Sequence, residues 1–426
     1  MKKISFAIFI ILALILSCEE KDIVGERWET SALDEFEITP INGGAIITYS
    51  IPIDSEIYYI LAEYERDGEV FTEKSSIYKN SLKIEGFNTL EKVKVTLYKV
   101  NLDEQRSKPL IVEFTPLKSS IKLASESLKF ATAFGGVLAE WENPSRTELG
   151  VWLMTKEDDK FETQEVYFST FDSEKYTFRG FPDSLKTFAI TFQDKWGNIS
   201  DTSFYTTTPL FEELVPKPYA DARATIPYDN ITELSSTYKF TKTWDGVVGG
   251  SNGFLSKSGN DGLSVTWDLK KVTKLSRMIL WPYYDPFDQV NVMVFEIWGI
   301  DKLDPSTLPP ADKSYWLDEW SVRNEVFKDV PKDFILPEKT FKDDWQYLGK
   351  YEIERIDQII PVDLEAIRAI LTNGHHFDFP MDAKPVRYIR FFVREGRFKG
   401  ADSSPPSNNY FSLSEISFFG DFNVNE

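Results

Sequence analysis

Phe134-Gly135-Gly136-Val137-Leu138-Ala139-Glu140-Trp141 decides the fold class. Val137, Ala139 and Trp141 alternate with Leu138 and Glu140, the two-residue period of a strand with one buried face. Ninety-two residues earlier (135 − 43 = 92), Gly43-Gly44-Ala45-Ile46 opens a second such strand, and each is followed by a proline in the next turn, Pro52 and Pro144. The same alternation recurs at Val93, Val95, Leu97 and at Phe188, Ile190, Phe192. The later unit then turns through Asp194-Lys195-Trp196-Gly197-Asn198, where Gly and Asn favour a tight reversal. One helix-like stretch stands out, near Val362–Leu371. The pattern predicts an all-β chain with an internal repeat.

Composition narrows the function. At roughly 150 residues per domain, 426 residues make about three domains. A hydrophobic content of 42% is enough for buried cores. With 68 acidic against 48 basic residues the charge is −20, which argues against a nucleic-acid partner, since phosphate binding rests mainly on clustered Lys and Arg. A single cysteine excludes a disulfide framework and a cysteine-based zinc site. The two histidines, His375 and His376, are adjacent; on an extended chain they point to opposite faces and cannot readily share a metal. Aromatics reach 15%, which suits both sheet packing and sugar-binding surfaces.

Lys2 and Lys3 precede an apolar run from Ile4 to Leu16, too short for a spanning helix of about 20 residues. The segment reads as a signal peptide over residues 1–17. Ile15-Leu16-Ser17-Cys18 resembles a bacterial lipobox, which implies cleavage before Cys18 and lipidation of its thiol. Glu19-Glu20-Lys21-Asp22 resembles the acidic tag that exports Bacteroidetes-type lipoproteins to the outer face of the outer membrane. Residues 18–30 then form a lipidated tether, and the expected location is the outer membrane, lipid-anchored and facing the exterior.

Units of about a hundred residues with some seven strands have the size of an immunoglobulin-like sandwich. The repeat resembles two fibronectin type III-like domains, 31–115 and 117–208, without the cysteine pair of the antibody type. The remainder, 209–426, carries Trp244-Asp245-Gly246, Leu263–Leu269, Trp345-Gln346-Tyr347-Leu348-Gly349, Val386-Arg387-Tyr388-Ile389-Arg390 and Ser414-Glu415-Ile416 in that order. Together these resemble a discoidin-like domain, a jelly-roll β-sandwich of the galactose-binding type. The stretch between Ile300 and Asp344 departs from that pattern. From lipobox to closing strand the chain resembles lipoproteins of polysaccharide-utilisation loci.

The resemblance implies ligand loops gathered at one end of the last sandwich. Trp281-Pro282-Tyr283-Tyr284-Asp285-Pro286-Phe287 leaves a strand through two prolines. Aromatic faces pack on sugar C–H surfaces while carboxylates, amides and Arg bind hydroxyls. The candidate ligand-binding residues are therefore Trp281, Tyr283, Tyr284, Asp285, Arg394, Arg397, Asn408 and Asn409; against this, Trp281 and Phe287 also suit a core, with Tyr283 and Tyr284 capping the barrel end. Discoidin-like sugar binders often hold a structural calcium at positions matching Asp245 and Glu415. The competing reading makes Asp245 a turn-former and Glu415 its hydrogen-bond partner. Carboxylate pairs such as Asp158-Asp159 and Asp343-Asp344 lie in hydrophilic turns, and no nucleophile or phosphate-loop motif occurs. The expectation is a non-catalytic surface lipoprotein binding polysaccharide or oligosaccharide beside other glycan-uptake proteins. The alternatives are an adhesion or assembly module with a protein partner and, third, a glycoside hydrolase accessory.

Overall fold

The computed structural model describes residues 30–51, 56–226, 229, 232–256, 264–284, 286–287, 291–303, 313–323, 330–395 and 412–424. Cys18, Asp285, Arg397, Asn408 and Asn409 lie outside them. The chain is all-β, with antiparallel sheets throughout. It divides into two compact units. The first holds the described residues up to Phe130 with Ala139–Tyr176 and Thr187–Thr206; the second holds Ala131–Leu138, Thr177–Lys186 and the residues from Thr207 onward.

Strands β1 (Phe36–Ile41), β2 (Gly44–Tyr49), β3 (Ile57–Arg66), β4 (Glu69–Ser76), β5 (Ser81–Glu85), β6 (Val93–Asn101) and β7 (Leu110–Phe114) form two sheets, β1-β2-β5 and β4-β3-β6-β7. A short helix α1 (Ser120–Ser127) follows. Strands β8 (Lys129–Ala133), β9 (Gly136–Glu142), β10 (Leu149–Glu157), β11 (Lys160–Ser169), β12 (Ser173–Phe178), β13 (Lys186–Asp194) and β14 (Ser203–Thr207) repeat that order as β12-β9-β8 and β11-β10-β13-β14. The alternation read from sequence is the burial pattern at Val93, Val95 and Leu97 and at Val137, Ala139 and Trp141, whereas at Phe188, Ile190 and Phe192 the intervening Ala189 and Thr191 are buried too.

The paired glycines explain why the repeat is visible. Gly43 and Gly135 both take φ near +65°, a left-handed conformation that a side chain disfavours. Each is framed by the same three bonds. Gly43 N–H donates to Leu117 O, Phe87 N–H to Gly43 O, and Leu117 N–H to Ile41 O. Gly135 N–H donates to Leu210 O, Phe181 N–H to Gly135 O, and Leu210 N–H to Ala133 O. At the following glycines the neighbouring strand leaves no room: a Cβ on Gly44 would lie 2.0 Å from Ile84 O, and one on Gly136 1.9 Å from Phe178 O.

The C-terminal region contains β15 (Glu213–Leu214), β16 (Ala220–Asp221), β17 (Phe254–Leu255), β18 (Ser264–Trp281), β19 (Val294–Ile300), β20 (Gln346–Glu352), β21 (His375–Asp378), β22 (Val386–Glu395), β23 (Ser412–Leu413) and β24 (Glu415–Asp421). β18 organises it. Ser264–Asp268 pairs with β22, and Lys274–Trp281 pairs with β24. Between them the register shifts and Lys270 takes φ 65°, so one strand serves two layers. Val265, Trp267, Phe295, Ile389 and Phe391 of one layer share a core with Met278, Leu280, Ile416 and Phe418 of the other.

The stretch that departs from the discoidin pattern has a structural task. Its described parts include α2 (Glu319–Arg323) and α3 (Phe341–Asp344). Tyr315, Trp316 and Phe341 pack with Trp298, Trp345 and Phe392 in a second, separate aromatic cluster. Those sheet residues alternate with Ile297 and Phe391, which face the main core, so the cluster covers the outward face of the β22–β19 sheet. The expected helix near Val362–Leu371 is α4 (Leu364–Asn373), capped by Asp363, whose Oδ1 accepts from Glu365 N–H and Ala366 N–H at 3.0 Å. Among the described residues no helix is long and apolar enough to cross a membrane.

Candidate functional site

β18 ends at Trp281, opposite Glu415 of β24, and Ser414 N–H donates to Trp281 O at 2.9 Å. The Trp281 ring is half-buried; its Nε1 donates to Thr372 O at the end of α4, 2.9 Å away. The chain then turns. Pro282 is buried, and Tyr283 N–H donates to the buried Asn291 Oδ1 at 3.1 Å while its ring meets Tyr238 edge-on at 6.1 Å. Tyr284 comes next with φ 61° and is 61% exposed, its N–H donating to Gly250 O at 3.0 Å. Phe287 packs against the main core instead, as the core reading of that ring anticipates.

The Tyr284–Gly250 bond ties this turn to the loop that follows Trp244. That loop is tied down elsewhere too. Gly249 N–H donates to Ser414 Oγ at 2.9 Å, and Asn252 Nδ2 donates to both Asp245 oxygens at 3.3 Å. A graded ring surface results: Trp281 and Tyr283 half-buried, Tyr284 projecting, with the amide of Asn252 and the carboxylate of Asp245 on the adjoining loop. Tyr238 and Asn291 belong to this arrangement and are not legible in the sequence, because neither lies in the aromatic stretch.

Arg394 requires a correction. The expectation that its guanidinium meets a sugar hydroxyl fails, because it is 6% exposed and bound to two internal carboxylates. Its Nη2 donates to Glu296 Oε2 at 2.5 Å and to Asp318 Oδ2 at 2.7 Å. Burial alone would lower its pKa, but the two carboxylates outweigh that and raise it. Burial likewise works to raise Asp318, and Arg394 with Ser321 outweighs it, holding that carboxyl below its ordinary range. Arg394 sits where the register of β22 shifts against β19, on the side of Phe392 and Trp320, and the covering stretch takes up its charge.

Asp245 and Glu415 adopt the turn-and-partner arrangement. Asp245 Oδ1 accepts from Val247 N–H at 2.9 Å, closing a turn on its own backbone. Glu415, 1% exposed, accepts from Gly246 N–H at 3.2 Å and from the Lys217 ammonium. Burial raises the Glu415 pKa, and Lys217 pulls it the other way. A calcium ion needs six to eight oxygens, and the described residues contain no group of three His, Cys, Asp or Glu able to hold a metal. Glu415 thus holds an ammonium and a backbone N–H where the resemblance implies a calcium ligand.

A cleft of about 1030 Å³ opens at the opposite end of the sandwich, where β18 passes Val272 and β22 begins. Asp301, Asp343, Asp382, Lys302 and Lys384 line it. Its one indole, Trp345, is 2% exposed, so the cleft offers no ring face for stacking. Asp343 accepts from Thr340 N–H at 2.7 Å as a helix cap, and Asp344 accepts from Tyr315 OH at 2.8 Å. Both carboxylates therefore hold structure.

Three family models match the sequence in succession, all described as domains of unknown function: DUF4959 over residues 31–116, DUF5126 over 117–218 and DUF5000 over 244–420. No curated protein matches it. Among solved structures it is similar to a SusE-like protein, BT2857, at 20% identity and TM-score 0.35, covering 71% of this chain and 98% of that one. It is also similar to the chicken interferon gamma receptor alpha chain, at 12% identity and TM-score 0.19, covering 42% and 98%. A two-domain fibronectin type III segment of chicken tenascin gives 12% identity and TM-score 0.21, covering 42% and 99%. At these identities and scores none of the three carries an argument about function.

Proposed function

We propose that this chain is a non-catalytic, lipid-anchored surface protein that captures extracellular glycan at the Trp281–Tyr284 turn of a discoidin-like domain. The observation that carries the reading is Tyr284. A large aromatic residue in the left-handed region is strained, and such residues persist where surrounding contacts impose them, often at ligand sites. Here the strain turns a ring into solvent beside two half-buried rings and a polar loop, the combination that a sugar's apolar face and hydroxyls require. The anchor at Cys18 and the two fibronectin-like sandwiches serve in this reading as base and spacer. One shallow site binds weakly, so retention comes from many anchored copies engaging one polymer.

Affinity gel electrophoresis across a panel of polysaccharides tests the proposal. At least one polymer retards the native chain, and Tyr284→Ala weakens that retardation about tenfold with the thermal midpoint unchanged. Retardation by no polymer, or equal retardation of the variant, removes the proposal.

A further inference from the structure

Ile359-Ile360-Pro361-Val362-Asp363-Leu364 leads into α4 and places four aliphatic side chains in water. Ile360 is 89% exposed, Leu364 59%, Ile359 53% and Val362 46%. The helix behind them has no fully buried residue. Single exposed aliphatics are ordinary on protein surfaces, but a contiguous group marks a contact surface. This group is also held in place at both ends. Before it, Arg355 donates to both oxygens of Asp357, at 2.7 and 2.6 Å; after it, Asp363 caps α4.

Charge selects the occupant. Across residues 352–368 stand Glu352, Glu354, Asp357, Asp363 and Glu365 against Arg355 and Arg368, a net of 2 − 5 = −3 around the apolar centre. An anionic lipid surface would be repelled by that rim. A second copy meeting the same patch about a two-fold axis would bring −3 against −3, which disfavours a self-complementary contact. We infer that this patch docks a protein surface bearing an apolar recess rimmed by Lys and Arg. It lies at the start of α4, while Trp281 is bonded to Thr372 at the far end of that helix.

The test places a p-benzoylphenylalanine at position 360 of the full lipidated chain in its producing cells, with irradiation and sequencing of the crosslinked peptide. The expected product is a peptide of another protein flanked by Lys or Arg. Its yield falls at least fivefold when Glu354→Lys and Glu365→Lys are added, both exposed carboxylates, while the thermal midpoint of the purified double variant is retained. A crosslink to this chain itself, to lipid alone, or to nothing overturns the inference, as does a yield indifferent to the charge reversal. Tyr284→Ala leaves the yield unchanged, which separates this surface from the glycan site.

Discussion

In the proposed reading Tyr284 joins conformation to function at a single position, and two substitutions separate them. Tyr284→Ala keeps the strained backbone and removes the ring; Tyr284→Gly removes both. Left-handed φ costs a non-glycine residue about 1 kcal/mol or more, so Tyr284→Gly is expected to hold or raise stability by up to about 1 kcal/mol. It deletes the ring, so on the proposed reading glycan retention should weaken as it does in Tyr284→Ala. Denaturant unfolding beside affinity electrophoresis reads both; a marked loss of stability would show that the ring is a packing element. His375 provides the residue-scale pH dependence. Burial holds its pKa at about 4, below the ordinary 6.5, and Nε2 is buried with no hydrogen-bond partner among the described residues. The unfolded chain therefore binds the proton first as pH falls. Stability from this group is complete above about pH 6.5 and declines towards pH 4, by at most about 3 kcal/mol. His375→Leu should flatten the stability curve between pH 6.5 and 4, and an unchanged slope there would assign the acid sensitivity elsewhere. Glu415 makes the third case. Lys217 already supplies its counter-charge, so a chelator should leave the thermal midpoint unmoved. Lys217→Met, which strands a buried carboxylate, should cost about 3 kcal/mol. A drop in midpoint with chelator alone would restore the calcium reading.

The elements show what a single sequence can disclose. Strands whose burial follows a two-residue period are legible, because Val93, Val95 and Leu97, or Val137, Ala139 and Trp141, carry their environment in their spacing. The glycine pairs are legible as a repeat, although their bonding frame is not. Side-chain pairings are illegible for a physical reason. Arg394 finds Asp318 across 76 positions and Lys217 finds Glu415 across 198, and nothing local distinguishes a charge bound for a covered sheet face from one bound for water. The aromatic turn is readable from its two prolines, whereas the partner holding it, Gly250 O, belongs to another loop. The glycine frame supports a prediction of its own. Gly136→Ala forces a Cβ onto Phe178 O, where only backbone movement gives relief, and should destabilise by about 3 kcal/mol. Gly246→Ala meets nothing within 4 Å and carries only the penalty of its φ of 83°, about 1 kcal/mol. Equal losses in chemical denaturation would show that conformation, and not the approach of β12, selects glycine at position 136.

For the whole molecule, the consequential feature is that the second compact unit takes in Ala131–Leu138 and Thr177–Lys186 along with everything from Thr207 onward. Segments flanking the second glycine pair thus belong with the C-terminal sandwich, and one side chain shows why. Glu212 accepts from Arg179 at 2.9 Å, from Ser276 at 2.5 Å and from Arg277 at 3.4 Å. Arg179 also reaches Phe134 O and Asp378, and Arg277 lies 3.8 Å over the Phe419 ring. One buried carboxylate thereby holds two guanidiniums drawn from distant parts of the sequence. Removing its charge leaves those two cations facing each other with Asp378 as a remaining counter-charge, and breaking a buried pair of this kind typically costs about 3 kcal/mol or more. Glu212→Gln keeps the shape and the bond to Ser276 while deleting the charge. In scanning calorimetry it should lower the transition of the C-terminal unit by roughly 6–12 °C, the equivalent of that energy for a region of this size. High salt should do little to the native chain, because the pair is shielded from bulk ions. Glu142→Gln, an exposed carboxylate of the other unit, should leave every transition in place. A Glu212→Gln midpoint within about 2 °C of the native value would mean that the apolar contacts around Phe211 and Phe422, and not this ion cluster, hold the segment against the sandwich.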